Sequence, residues 1–264
     1  MTPDEVLREG AGILGVALGR DEERLFMLYL SELLKWNAKV NLTAVTEPGE
    51  VVVKHFLDSL ALLRILESVR KGPLSRVLPP PLLVASKSGV ERGRSSGGRS
   101  SHLAAPASDT IGAAHSAPAL PGESFAFSAC DIGSGAGFPG LALKVVLPGM
   151  DLTLVEPARK KAAFLRHVAR TLGLAGVSVH EARVEALGGE HIGRYDALFS
   201  RAFKAPAELL ALAGPLLRTG GVAALSLGPE TALEVPPGWR VTRQEGITLP
   251  FSDYRRTLAA IEKQ

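Results

Sequence analysis

The sequence has 264 residues, of which 46% are hydrophobic, and a formal net charge of +3. A chain of this length can bury one large core, or one core and a small lobe. Its single cysteine excludes an internal disulfide and is typical of a reducing cytosol, so we expect a cytoplasmic protein. No apolar run approaches the length of a membrane span, and the acidic start lacks the basic region of a signal peptide.

The first 70 residues predict a helical cap. Apolar residues recur at helical spacing from Asp21 to about Trp36, and again over 50–66. Residues 3–18 form a weaker helical stretch that three glycines interrupt. We expect this cap, at 1–70, to pack as one unit with the domain that follows.

Residues 71–122 have a different composition. Three prolines open this segment, and runs rich in Arg, Ser, Gly, Ala and Pro follow. Such a segment cannot bury enough apolar surface to offset the entropy lost on ordering. We therefore expect a disordered low-complexity insertion, either a tolerated surface loop or an arginine-bearing tether for RNA.

The core, at 123–264, begins with a strand, a glycine-rich turn and a helix. The apolar strand at 125–130 ends before Asp131, Pro139 suits the first turn of a helix, and 141–147 continue that helix. Glycines are needed in such a turn because the backbone adopts positive φ and a ligand approaches it closely. The glycines alternate at Gly133, Gly135 and Gly137.

Two classes of ligand fit this turn. Gly135 to Gly140 matches the G-x-G-x-x-G pattern of dinucleotide sites, with Glu156 about 20 residues further on. Asp131 followed by the alternating glycines instead matches the acidic-x-Gly-x-Gly-x-Gly pattern of S-adenosylmethionine-dependent methyltransferases. A carboxylate at Asp131 would repel a pyrophosphate but attract the ammonium group of a methionine moiety, so we favour S-adenosylmethionine.

Strands and helices alternate after the turn, which predicts an α/β fold with a doubly wound sheet. Ligands of such sheets lie at the carboxyl ends of the strands. Glu156 follows the second strand and could accept hydrogen bonds from both ribose hydroxyls, or it could cap the next helix. Val184 and Glu185 follow the third strand, where an adenine would pass. The predicted strands are 125–130, 152–155, 177–180, 196–199 and 222–227, with a final antiparallel pair at 240–248 and 257–261.

The turn after the fourth strand narrows the chemistry. Ser200-Arg201-Ala202 lacks the Asn/Asp-Pro-Pro-aromatic turn of methyltransferases that act on exocyclic amines. The only cysteine, Cys130, lies in a predicted core strand, so no nucleophile for carbon 5 of a pyrimidine is present. Guanine N7 carries its own lone pair and needs neither device. Arg201 could position such a base or a phosphate, or it could form a surface salt bridge.

Cationic and polar residues predict an RNA-binding face. Lys204 and the basic helix after Glu156 could contact phosphates, or they could be solvated surface residues. His55 and Asp58 share one helix face, where they could serve the cap structurally. The helix carries Arg159, Lys160 and Lys161.

Four blocks of sequence together resemble the RsmG (GidB) family. They lie at 33–43, 54–60, 131–140 and 200–202, and the resemblance covers nearly the whole chain except about 71–122. It implies a Rossmann-like class I S-adenosylmethionine-dependent methyltransferase sheet with an N-terminal helical cap. It also implies methylation of guanine N7 in the decoding-region loop of 16S rRNA, with 16S rRNA or the small ribosomal subunit as partner.

The resemblance also implies the roles of individual residues. Arg201 would lie beside the methyl group and target base as a positioning residue, without a general base. The cap side of the pocket would be built by Asn37, Asn41, His55 and Asp58. The cofactor set would be Asp131, Gly133, Ser134, Gly135, Gly137, Phe138, Glu156, Val184, Glu185 and Arg201.

One departure from the family concerns charge: the family usually carries Lys-Gly after the fifth strand, where this chain has Leu227-Gly228. We predict a monomeric enzyme that needs no metal. The alternatives are a methyltransferase of the same fold with another RNA or protein target, a non-catalytic ribosome-binding factor, and an NAD-binding oxidoreductase.

Overall fold

The structure is a computed structural model that describes the N-terminal helices and the strands and helices of the core. The predicted insertion at 71–122 and Lys204 lie outside the described residues. No helix in the described part of the chain is long and apolar enough to cross a membrane. The described ranges are 1–69, 127–201, 205–229 and 231–264.

The N-terminal cap is helical, as predicted. Helix α1 spans Pro3–Ile13 and buries Val6 and Leu7 despite its glycines. Helix α2 spans Arg20–Asn37, where Phe26, Tyr29, Leu30 and Leu33 form the buried stripe that the apolar spacing predicted.

The single helix predicted over 50–66 is wrong in detail, because a π-helical turn at Val52–Leu57 interrupts it. Such turns are rare in proteins as a whole, but those that occur are often found at functional sites. Within this turn the Lys54 carbonyl accepts a hydrogen bond from the Arg201 side chain, at 2.7 Å. The flanking helices are α3 (Pro48–Val51), α4 (Asp58–Ala61) and α5 (Leu63–Val69).

A seven-stranded sheet follows, in the order β3-β2-β1-β4-β5-β7-β6. Strands β1 to β5 are parallel, and β7 runs antiparallel to both β5 and β6, so the predicted final pair is confirmed. The order reverses between β1 and β4, and a ligand of a doubly wound sheet binds at this switch point. The strands are β1 (Ser128–Ile132), β2 (Asp151–Val155), β3 (Val177–His180), β4 (Tyr195–Arg201), β5 (Leu217–Leu227), β6 (Trp239–Thr248) and β7 (Arg255–Lys263).

Strands β1 and β5 depart most from the predicted bounds, and β4 and β7 also extend past theirs by up to two residues. Strand β1 continues through Asp131, which is buried, rather than ending before it. Strand β5 begins at Leu217, because the preceding helix already ends at Ala213. Gly220, with φ of 76°, lies inside β5 beside a register shift against β4, so a local irregularity lets the strand extend. The other core helices are α6 (Gly140–Val146), α7 (Arg159–Thr171) and α8 (Pro206–Ala213).

The cap contacts the sheet domain through polar groups as well as apolar packing. The buried Tyr29 hydroxyl donates to the Ala136 carbonyl of the glycine-rich turn, at 2.6 Å. Arg64 donates to the Glu245 carboxylate on β6, at 2.6 Å. The cap therefore holds both the turn and the antiparallel edge of the sheet.

Gly137 tests how closely the cap packs on the turn. Its φ is 92°, and a Cβ there would meet the Tyr29 hydroxyl and would lie 2.7 Å from Leu141 Cδ1. We expect Gly137→Ala to lower the free energy of unfolding by about 2–4 kcal/mol, since it adds overpacking to a positive φ. Denaturant unfolding measures the change.

Gly173→Ala is the matched control for Gly137→Ala. Gly173 has φ of 66°, but a Cβ there would meet nothing within 4 Å. We expect it to lose only about 1 kcal/mol, from the backbone alone. Equal losses in the two variants would contradict the close packing of the cap on the turn.

Candidate active site

The glycine-rich turn joins β1 to α6 at the carboxyl edge of the sheet. Its three glycines have φ values of 69°, 59° and 92°, all in the region that side chains disfavour. The Gly133 amide donates to the Val155 carbonyl at the end of β2, at 2.9 Å. Buried Ser134 donates its hydroxyl to the Asp131 carbonyl, at 2.9 Å. The turn is thus held by hydrogen bonds to the end of β2 and within its own backbone.

Asp131 lies at the base of this turn and is fully buried. Its Oδ2 accepts a hydrogen bond from the Gly140 amide at 3.0 Å, while Oδ1 has no hydrogen-bond partner among the described residues. Burial raises the pKa of this carboxyl to about 7, against the lowering effect of the Gly140 amide and of Arg201. An unpartnered buried carboxylate oxygen is costly, so this atom suits a ligand that brings a cationic donor.

Glu156 follows β2 and also contacts the turn. Its Oε2 accepts from the Gly135 amide at 2.8 Å, and its Oε1 accepts from the Ala158 amide at 2.9 Å, just before α7. The second hydrogen bond reaches the residue before α7 and no amide of its first turn, so Glu156 braces the approach to the helix without capping it. Each oxygen keeps a further lone pair, so contact with ribose hydroxyls stays a prediction.

A small cavity lies beside the turn, between the ends of β1, β2 and β3. Its volume is about 80 Å³. Val184 is buried there, whereas Glu185 is exposed at its rim. The predicted adenine contacts therefore lie together with the glycine turn. The lining residues are Ile132, Gly133, Val155, Pro157, Ala182, Arg183, Val184 and Glu185.

Arg201, at the end of β4, extends its guanidinium into the cap. Nη1 donates to the Lys54 carbonyl at 2.7 Å and lies 3.3 Å from Asp58 Oδ2, and Nη2 lies 3.0 Å from His55 Nδ1. The guanidinium carbon is 5.4 Å from the centre of the Phe138 ring, a cation–π distance. Arg201 is thus fixed between the cap and the glycine-rich turn.

The fully buried carboxylate of Asp58 compensates the positive charge of Arg201. Besides Arg201, its carboxylate accepts from the Ser226 hydroxyl at 2.8 Å and from Arg256 Nε at 3.2 Å. Ser226 directly precedes Leu227, where the family usually has its lysine. Arg256, which the sequence analysis missed, supplies a cation beside this position. Only the antiparallel register of β7 against β5 brings it there, so no local signal identified it.

His55 lies beneath Arg201 and is neutral. Its burial, followed by the charge of Arg201, lowers the pKa of the imidazole to about 3. Nδ1 lies near both the Arg201 guanidinium and the Lys54 carbonyl, at 3.0 and 3.1 Å; because a guanidinium can only donate, we assign Nδ1 as the acceptor and the other nitrogen as the donor to Thr43 Oγ1, at 2.8 Å. Both ring nitrogens are therefore engaged, which leaves this histidine a positioning role.

Phe138 packs between the cap and the carboxyl ends of β1 and β4. We call these strand ends, with Asp131 and Arg201, the reaction edge. The Phe138 ring stacks on His55 with centroids 4.8 Å apart and on Tyr29 with centroids 5.3 Å apart. It is almost fully buried. Its ring therefore supports Arg201 and His55 from below.

The remaining predicted residues lie apart from Arg201. Asn37 holds the loop that carries Thr43, because its Oδ1 accepts from the Leu42 and Thr43 amides at 2.9 and 3.0 Å. Asn41 lines a separate cavity of about 470 Å³ together with Lys160 and Lys161. Arg159 is exposed at the start of α7.

The sheet order, the acidic glycine-rich turn and the unpartnered Asp131 oxygen define an S-adenosylmethionine-dependent methyltransferase of class I. A family model described as rRNA small subunit methyltransferase G matches residues 22–75 and 114–236. The chain belongs to this family.

Curated relatives agree along nearly the whole chain. "Ribosomal RNA small subunit methyltransferase G" of Myxococcus xanthus is 35% identical, over 99% of this chain and 97% of the relative. The protein of the same name from Deinococcus radiodurans is 34% identical, over 98% of this chain and 85% of the relative. Membership of this family sets aside the NAD-binding oxidoreductase.

Solved methyltransferase structures resemble the chain over about half of its length. A predicted O-methyltransferase from Agrobacterium tumefaciens is 22% identical, with a TM-score of 0.44, over 55% of this chain and 77% of that chain.

The Asp58 cluster makes a prediction about stability. Asp58→Asn keeps the shape of the side chain but leaves two largely buried guanidinium groups without a counter-charge. We expect it to lower the free energy of unfolding by about 3 kcal/mol. Ser226→Ala, which removes one hydrogen bond to the same carboxylate, should cost about 1 kcal/mol. A loss in Asp58→Asn no larger than in Ser226→Ala, measured by denaturant unfolding, would contradict the charge compensation.

Proposed function

We propose that this protein methylates guanine N7 in the decoding-region loop of 16S rRNA, using S-adenosylmethionine. The observation that carries the proposal is the state of Arg201 and its neighbours. Arg201 is a fixed cation at the reaction edge. The His55 imidazole and the Asp58 carboxylate beside it already have hydrogen-bond partners. Such a site can orient an acceptor but offers it no free base, which suits an atom with its own lone pair.

The residues of the glycine-rich turn fit the cofactor. Asp131 Oδ1 would accept from the ammonium group of its methionine moiety, the positive-φ glycines would admit it against the backbone, and Glu156 would meet its ribose. When bound, S-adenosylmethionine supplies an electrophilic methyl group for transfer to a nucleophile. Val184 and Glu185 would flank its adenine.

Arg201 would position the target guanine. Its guanidinium is anchored on three sides by the cap, so it can present its remaining N–H groups in a fixed direction. Guanine N7 loses no proton when it gains a methyl group, which agrees with the absence of a role for His55 as a base. Arg201 therefore acts by orientation and by its charge.

The RNA backbone would lie along the edge between the cap and α7. Lys39, Lys160 and Lys161 line one cavity there with Asn41, and Arg159 is exposed nearby. Cations on such a surface bind phosphates and make affinity depend on salt. The protein would act in the cytoplasm as a monomer, with 16S rRNA or the small ribosomal subunit as its partner and without a metal. The three parts at 1–70, 71–122 and 123–264 remain our proposed domain organisation.

Transfer of labelled methyl groups tests the proposal directly. The full chain is incubated with small ribosomal subunits or protein-free rRNA, and 7-methylguanine is located by borohydride–aniline cleavage. We expect one cut, in the decoding-region loop. Arg201→Ala should lower the rate of transfer strongly, so that the cut becomes faint, but should keep cofactor affinity in calorimetry. Label without cleavage would move the target to another atom, and no label with bound cofactor would favour a non-catalytic ribosome-binding factor.

Cofactor binding should depend on pH through Asp131. Because burial raises the pKa of this carboxyl to about 7, the free protein is largely protonated there below pH 7. The protonated carboxyl stabilises the free folded protein relative to the unfolded chain at low pH. This contribution to the free energy of unfolding is lost as the pH rises through 7. Cofactor affinity should therefore fall about fivefold from pH 7 to pH 6, because the ionised fraction of Asp131 falls from about one half to about one tenth.

Calorimetry with S-adenosylmethionine at the two pH values measures this dependence. Asp131→Asn keeps the shape of the side chain and should bind the cofactor weakly and equally at both. Unchanged affinity in that variant would contradict the role of Asp131.

A further inference from the structure

The turn between β6 and β7 is held in one conformation. The Leu249 amide donates to the Tyr254 carbonyl at 2.8 Å, and the Ser252 hydroxyl donates to the Leu249 carbonyl at 3.1 Å. Leu249 is buried and anchors the turn to the core. The side chains on the tip of this turn are therefore presented in fixed positions.

Two of these side chains are aromatic and face solvent. Phe251 is 47% exposed and Tyr254 is 43% exposed. The other large apolar residues that are exposed in the described ranges are aliphatic: Met1, Ile13 and Ile192. Two exposed aromatic side chains on one short turn are typical of a binding surface.

The backbone at Phe251 is strained. Its φ is 60°, the one positive value at a described residue other than glycine. A bulky side chain rarely adopts this conformation, and such strain persists where function requires the placement. Glycine would serve the turn better, so the aromatic ring itself is the feature that needs explanation.

The turn forms one wall of a cavity of about 780 Å³, and the cap forms the other. This cavity adjoins the reaction edge. Lys54, whose carbonyl accepts from Arg201, lies in its wall, and so does Arg256, which contacts Asp58. The Lys54 ammonium is 4.6 Å from the centre of the Tyr254 ring.

The charge of the cavity points to a neutral occupant. Three carboxylates and three cations line it, and Glu50 pairs with Lys54 at 2.9 Å. A phosphate would find no excess of positive charge there, whereas a flat base could stack on the rings. The charged lining residues are Glu47, Glu50, Asp253, Lys54, Arg255 and Arg256.

We propose that Phe251 and Tyr254 form a stacking platform for unpaired bases of the substrate RNA next to the target guanine. This inference rests on the proposed function, because it takes single-stranded rRNA as the substrate. Bases in RNA loops can leave their own stack and pack on aromatic side chains without being read by sequence. The platform would hold the loop while Arg201 holds the target.

Binding of the full-length protein to protein-free 16S rRNA tests the platform. We expect Phe251→Ala and Tyr254→Ala each to raise the dissociation constant roughly tenfold, as the loss of one stacked base predicts. Affinity for S-adenosylmethionine should be unchanged in both. Ile192→Ala is the matched control, since Ile192 is 64% exposed but lies away from the turn. It should bind RNA like the wild type.

Two further variants separate stacking from other causes. Phe251→Gly relieves the positive φ, so its melting temperature should equal or exceed that of the wild type while its RNA affinity falls. Phe251→Leu keeps an apolar side chain and should not restore affinity. Full affinity in Phe251→Leu would identify an apolar contact instead of stacking, and unchanged affinity in Phe251→Gly and Tyr254→Ala would overturn the platform.

Because RNA binding is measured without methyl transfer, the two proposals fail separately. Ring-dependent RNA binding with no cleavage at 7-methylguanine would support the platform and reject the proposed target atom. Cleavage at the expected guanine, with binding that is independent of both rings, would support the enzyme and reject the platform.

Discussion

The carboxylate of Asp58 is fully buried, and the reaction edge depends on how its charge is compensated. Arg201, Arg256 and the Ser226 hydroxyl all donate to it, from three different strands. A buried charge is tolerated only when it is paired and hydrogen-bonded. Docking of the cap on the sheet therefore places Asp58 against Arg201 at the end of β4, and the same contact fixes the direction of this cation.

The two sides of the site differ in what they offer a ligand. The β1 side has a rigid glycine-rich turn, and the β4 side has a charged group held in a fixed position. On the β1 side, the glycines hold the turn at positive φ, and buried Asp131 keeps one oxygen without a hydrogen-bond partner among the described residues. On the β4 side, Arg201 lies over Phe138, and His55 is kept neutral beneath it. The stacked rings of Tyr29, Phe138 and His55 join the sides, so the cap supports both. The low pKa of His55 follows from this burial and from the adjacent guanidinium.

Local signals in the sequence were enough for the glycine-rich turn, for Asp131 and for the alternation that predicts the sheet. Each depends on residues within about ten positions, where backbone requirements act directly on residue type. The Asp58 cluster was not predictable from local signals, because strand register brings 201, 226 and 256 together and docking of the cap helix then adds Asp58. Helical spacing also could not reveal the π-helical turn at Val52–Leu57 or the two backbone amides that Glu156 binds. Tertiary contacts decide these features, and the exposed Phe251 with its positive φ belongs with them.

A double-mutant cycle on Asp58 and Arg201 tests the central claim, that Asp58 serves the reaction by holding Arg201. The single-turnover rate of methyl transfer to small ribosomal subunits is measured at saturating S-adenosylmethionine for Asp58→Asn, Arg201→Ala and the double variant. If Asp58 acts through Arg201, the double variant should be no slower than Arg201→Ala alone. Losses that multiply would show two independent roles and contradict the account.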